Sequence, residues 1–116
     1  MSSSGLRRQL GQLVTLGIAG PTCPAELRAL ARDFDVFVHA SLYEDAGDGG
    51  LGFNTAICVG PDGGLVARTR KLHIPVTAGY YEDRYFRPGD GGYPVVAVGD
   101  AHVGFPTCWD QWFPEL

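Results

Sequence analysis

Between residues 36 and 108 the chain offers five short runs rich in β-branched and aromatic residues, each bounded by a turn signal. They are VFVHASLY at 36–43, FNTAICVG at 53–60, LVARTRK at 65–71, YPVVAV at 93–98 and AHVGFPTC at 101–108. One helical stretch stands ahead of them. In TCPAELRALARDFD, residues 22–35, Leu27, Leu30, Ala31 and Phe34 fall at i, i+3, i+4 and i+7, which is one face of a helix. Thr22 can cap it, Pro24 suits its first turn, and Glu26 favours the positive helix end. A helix followed by strands, in 116 residues, means one α/β domain at most.

The run at 36–43 is apolar on both faces and reads as a buried strand. EDAGDGGLG after it reads as a loop, which puts Glu44 outside the strand. Pro61-Asp62-Gly63 and Gly99-Asp100 read as the turns of two hairpins. Residues 73–92 are irregular, with aromatics and charges mixed. WDQWFPEL at 109–116 reads as the first turns of a helix without a C-cap, as at the edge of something larger.

Nine Lys and Arg against thirteen Asp and Glu give −4, which excludes nucleic acid as the main partner. Cysteines stand at 23, 58 and 108 with no CxxC spacing, so neither a disulfide framework nor a zinc site is expected and a reducing, cytoplasmic setting is. No run approaches the roughly 18 apolar residues of a membrane helix. Residues 1–19 carry two arginines before a stretch diluted by Gln12 and Thr15; they read as a leader of unclear structure rather than a signal peptide.

Cys108 is the most suggestive residue, because it sits where an apolar strand gives way to a helix start. Unpaired N–H groups there favour a thiolate, and the Trp109 N–H can face an oxyanion. The alternative is a buried structural cysteine. Lys71 ends a strand and can stabilise an anionic intermediate, or it can simply be solvated. Glu82, in an aromatic run, can orient that lysine, or pair with Arg84 or Arg87 on the surface. His73 is a candidate base or hydrogen-bond donor, while Cys23 and Cys58 read as packing residues. No Ser elbow, Walker loop or dinucleotide glycine pattern is present.

RKLHIP at 70–75, GYYEDRYFRPGD at 79–90 and CWDQWFPE at 108–115, in this order and at these separations, resemble the motifs of the nitrilase, or carbon–nitrogen hydrolase, superfamily. The last is most similar to the branch that cleaves N-carbamoylputrescine. The resemblance covers residues 20–116 and implies a partial carbon–nitrogen hydrolase domain, part of an αββα sandwich truncated at both ends. It implies Cys108 as nucleophile, Lys71 as stabiliser of the tetrahedral intermediate and Glu82 as the second glutamate. The Trp109 amide would join the oxyanion site, and Asp110, Tyr81, Trp109 and Trp112 would meet a cationic amine tail, with helix capping the other role open to Asp110. Ammonia would leave as the covalent intermediate forms, and water would then hydrolyse that thioester-type intermediate, so that the overall products are putrescine, carbon dioxide and ammonia. The expected partner is a small carbamoyl-amine or amide, with no metal or organic cofactor and with homo-oligomers at full length.

Three departures accompany the resemblance. The general-base glutamate precedes the matched region, and neither Glu26 nor Glu44 stands in its context. The family's sandwich continues past the nucleophile. Pro106 would remove a ladder N–H from a central strand. The other readings are a relative acting on another amide, nitrile or carbamoyl amino acid, and an inactive chain serving as an interaction module.

Overall fold

The computed structural model describes residues 23–116 and the backbone of residues 18–19. The leader expected over 1–19 therefore lies outside the described residues except for Ile18–Ala19, and so does the proposed cap Thr22. Ile18–Ala19 form a short strand, β1, that pairs in parallel with the end of β2, Val38–Asp45. β3, Phe53–Val59, and β4, Leu65–Arg70, follow antiparallel, giving one sheet in the order β1-β2-β3-β4.

The helix, α1, spans Ala25–Phe34. Pro24 is its N-cap and its carbonyl accepts the N–H groups of Leu27 and Arg28. It ends at Asp35, whose left-handed backbone (φ 51°) lets Val36 N–H reach the Ala31 carbonyl at 3.1 Å. Its apolar face buries Leu27, Leu30 and Ala31 against Leu42, Ile57 and Val59.

Strand register decides what each sheet face carries. Partners across the ladder, such as Leu42 with Thr55 and Thr55 with Arg70, point the same way. One face thus holds α1 at one end and Glu44, Thr55, Arg68 and Arg70 at the other. The opposite face holds Ala56, Cys58 and Ala67, and Thr69 and Lys71 continue it by alternation. That face is covered by a second, smaller layer, the hairpin of β7, Val96–Val98, and β8, Ala101–Val103, through Val96, Val103 and Phe105.

Four expectations change. β2 buries only the α1 side, leaving His39, Ser41 and Tyr43 exposed, because the β7–β8 hairpin packs over β3 and β4. β2 also runs to Asp45, so Glu44 is a strand residue. Its charge is tolerated because Arg70 and Thr55 face it. β8 ends at Val103, so Pro106 removes no ladder bond. The helix expected at 109–116 is a 3-10 turn of five residues, Cys108–Trp112.

Candidate active site

Lys71 follows β4, its N–H still bonded to the Asn54 carbonyl at 2.8 Å. The chain then makes a small hairpin of β5, Val76–Thr77, and β6, Tyr80–Tyr81. Gly79, at φ 85°, supplies the turn conformation that an L side chain resists. The hairpin folds Glu82 back onto Pro75, whose carbonyl accepts the Glu82 N–H at 3.1 Å. This return explains how residues so far apart in sequence meet: Lys71 Nζ donates to Glu82 Oε2 at 2.7 Å. Lys71 is 1 % exposed and is not a solvated strand-end lysine. Glu82 pairs inward rather than with its neighbouring arginines. Arg84 lies over the Tyr81 ring at 5.0 Å, and Arg87 binds Asp48 at 2.7 Å.

The loop after Glu82 is pinned at both ends. Arg87 N–H donates to the Gly52 carbonyl and Gly89 N–H to the Lys71 carbonyl, both at 2.8 Å. Asp90 then binds Arg70 at 2.9 Å, while Arg70 grips the fully buried Glu44 at 2.6 Å. Burial pushes the Glu44 carboxyl up, but bonds from Arg70 and Thr55 and the charges of Arg70 and Arg68 outweigh it and hold the carboxyl low. Glu44 lies on the α1 face of the sheet, opposite Lys71, so it cannot act as base for a group on the Lys71 face.

Cys108 opens the 3-10 turn with a positive φ of 53°. For a residue with a side chain that conformation costs about 1–2 kcal/mol, and it turns the side chain away from the regular path of the chain. Cys108 is exposed while Cys23 and Cys58 are buried, which excludes the structural-cysteine alternative for Cys108. Its short turn does not supply the dipole of a long helix. Trp109 follows half-buried, and Trp112 is 74 % exposed.

Asp110 takes the capping role. It is 0 % exposed, and its oxygens accept from Leu72, His73 and Thr107, so no free oxygen faces outward to an amine. These bonds bring the Cys108 turn against the Lys71 strand end. Tyr81 and Trp112 keep exposed ring surface. Sequence reasoning missed the Asp110 bonds to Leu72 and His73 and the Glu44–Arg70–Asp90 chain. Only the Thr107-x-x-Asp110 spacing, an N-terminal capping signature, hinted at part of them. Among the described residues no group of three His, Cys, Asp or Glu side chains is placed to hold a metal ion, and no helix is long and apolar enough to cross a membrane.

A four-stranded sheet with a helix on one face, a second sheet on the other, and an exposed thiol on a turn that Asp110 ties to the residues following Lys71, itself paired with Glu82, defines a class: part of a nitrilase-type α/β sandwich. The chain belongs to the carbon–nitrogen hydrolase family, whose profile matches residues 18–116. Citrullinase of Francisella tularensis is 40 % identical over 88 residues, covering 76 % of this chain and 30 % of the relative. N-carbamoylputrescine amidase of Arabidopsis thaliana is 38 % identical over 91 residues, covering 78 % and 30 %. The crystal structure of a carbon–nitrogen hydrolase from Helicobacter pylori superimposes with a TM-score of 0.65 at 42 % identity, over 76 % of this chain and 29 % of that one. An amidase from Nesterenkonia sp., solved with acrylamide added to its active-site cysteine, gives 0.63 at 28 % identity, over 77 % and 34 %. The chain thus spans about a third of the length of the relatives it matches.

Proposed function

We infer that this chain carries the nucleophile, the amine and the second carboxylate of an amidohydrolase acting on N-carbamoylputrescine. The observation that carries this reading is the Lys71–Glu82 pair beside the turn that holds the exposed Cys108. The Cys108 thiolate attacks the carbamoyl carbon, and the charge that develops on oxygen is met by the Lys71 ammonium and the Trp109 N–H. Ammonia leaves, and water cleaves the thioester-type intermediate. Glu82 holds the lysine's charge in place. The exposed face of Trp112 suits the ammonium end of the substrate, since aromatic faces attract cations, whereas Arg84 already lies over the Tyr81 ring. General-base help, worth roughly 10²–10⁴-fold, comes from outside the described residues in this reading. No cofactor is called for, because lysine and backbone supply the electrophile. The cysteine usage fits a cytoplasmic setting.

A second substrate is favoured by one observation. Arg84 lies in the shallow pocket of about 310 Å³ lined by Gly79 to Glu82, Arg84 and Tyr85, where it can meet a carboxylate. That suits a carbamoyl amino acid such as citrulline.

The test is ammonia release by the chain from N-carbamoylputrescine and from citrulline, each against a Cys108→Ser control. Cys108-dependent release that favours the carbamoyl-amine supports the reading. Preference for citrulline overturns the substrate, and no Cys108-dependent release from either overturns the activity for this chain.

A further inference from the structure

One side chain joins the two segments that carry the thiol and the amine. Asp110 Oδ1 accepts the backbone N–H of Leu72 at 3.2 Å and of His73 at 3.0 Å, and it meets His73 Nδ1 at 2.9 Å. Its Oδ2 accepts the Thr107 N–H at 3.2 Å. Lys71 immediately precedes Leu72, and Cys108 immediately follows Thr107. Among the described residues no other hydrogen bond joins 71–73 to 107–112.

The surroundings close this contact. Asp110 is fully buried, and the His73 ring stacks on Phe113 at 3.4 Å with 8° between planes. A carboxylate only accepts, so the contact puts the imidazole proton on Nδ1. The Tyr93 phenol is pushed up by burial and by the negative charge of Asp110 beside it.

We propose that Asp110 is a positioning residue, a buried latch that sets the Cys108 turn against the Lys71 strand end, with the His73 imidazole as its side-chain arm. This rests on the reading that Cys108 and Lys71 act together. A misplacement of about 1 Å between reacting groups costs on the order of 10²-fold in rate, so a latch at this point has a measurable effect. Asp110 itself touches no substrate in this role, because its oxygens are filled by protein donors.

The experiment measures iodoacetamide alkylation of Cys108 against pH, peptide by peptide, in the wild-type chain and four variants. The buried Cys23 and Cys58 report in the same digest whether the fold holds. Asp110→Asn and Asp110→Ala are expected to slow alkylation of Cys108 by about tenfold at neutral pH, because the thiol is no longer held against the Lys71 strand end. His73→Ala is expected to slow it about threefold, and His73→Asn, whose amide N–H stands where Nδ1 stood, to restore it within about twofold. In the slowed variants the amides of Leu72 and His73 exchange faster with deuterium.

An unchanged Cys108 profile in Asp110→Asn and His73→Ala, with Cys23 and Cys58 still protected, overturns the proposal. If Asp110→Asn exposes Cys23 and Cys58, His73→Ala and its rescue by His73→Asn decide the matter alone. The functional reading fails by a different result, no Cys108-dependent ammonia release from either substrate. Slower Cys108 alkylation with faster Leu72 and His73 exchange in the Asp110 variants still supports the latch in that case.

Discussion

Lys71 and Glu82 meet at 2.7 Å, but they are unequally buried: the lysine side chain is 1 % exposed and the glutamate 28 %. Removing one partner is therefore not the same as removing the other. Glu82→Ala leaves an ammonium without a partner in the interior, at a cost of about 2–3 kcal/mol. Lys71→Met leaves a carboxylate that water can reach and fills the lysine's space, at a cost of about 1 kcal/mol. Urea denaturation should rank them in that order, while Lys71→Met abolishes Cys108-dependent ammonia release. Equal stabilities would mean that water reaches the lysine.

The three thiols separate by environment. Burial pushes Cys23 and Cys58 up, while Cys108 is exposed on its turn. Iodoacetamide at neutral pH should add once, at Cys108, and three times in concentrated urea. Intact mass and peptide mapping read this directly. Early labelling of Cys23 would show that the α1 face of the core is open.

Acid should weaken the chain partly through Glu44. Its folded carboxyl lies below the ordinary 4.5: burial raises it, and the bonds and charges of Arg70, Thr55 and Arg68 lower it further than burial raises it. A depressed carboxylate contributes its full stability above its unfolded value and loses it as pH falls through the folded one. The urea midpoint should therefore be flat from neutral pH down to about pH 5 and fall below it. Glu44→Gln should lower the neutral plateau by about 2–3 kcal/mol, because Arg70 loses the buried one of its two carboxylate partners and keeps only the exposed Asp90, and should flatten the acid limb. An unaltered acid limb would place the titration elsewhere, on the exposed Asp48 or Asp90.

Periodicity carried much of the fold. The α1 face was legible in Leu27, Leu30 and Ala31, but not in Phe34, which the same spacing put on that face and which is 54 % exposed at the helix end, and β3 and β4 were legible in their apolar and β-branched runs, because those patterns are local. Glu44 was not, because a charged residue before a glycine run reads as loop unless the Arg70 that neutralises it is known. Asp110 was only half legible. Its bond to Thr107 is local, but its partners at Leu72 and His73 lie far away in sequence. The end of the chain was misread as helix because WDQWFPEL lacks a local signal that separates an α-helix from a 3-10 turn.

The loop that follows Glu82 closes on β4 so tightly that only glycine fits at one point. Gly89 N–H reaches the Lys71 carbonyl at 2.8 Å, and a Cβ at Gly89 would overlap the Arg70 backbone carbonyl. Backbone cannot swing aside as a flexible side chain can, so Gly89→Ala must lift the loop. The lift pulls Asp90 from Arg70 and loosens the segment that carries Glu82. Two residues on, Gly91 has nothing within 4 Å of the same position. Gly89→Ala should therefore cost about 1–3 kcal/mol in urea and slow Cys108-dependent turnover. Gly91→Ala should stay within about 0.5 kcal/mol of the parent and leave turnover alone. Because both substitutions add one methyl to one loop, a difference between them reports the close approach to β4, and equal behaviour would show that the loop does not rest there.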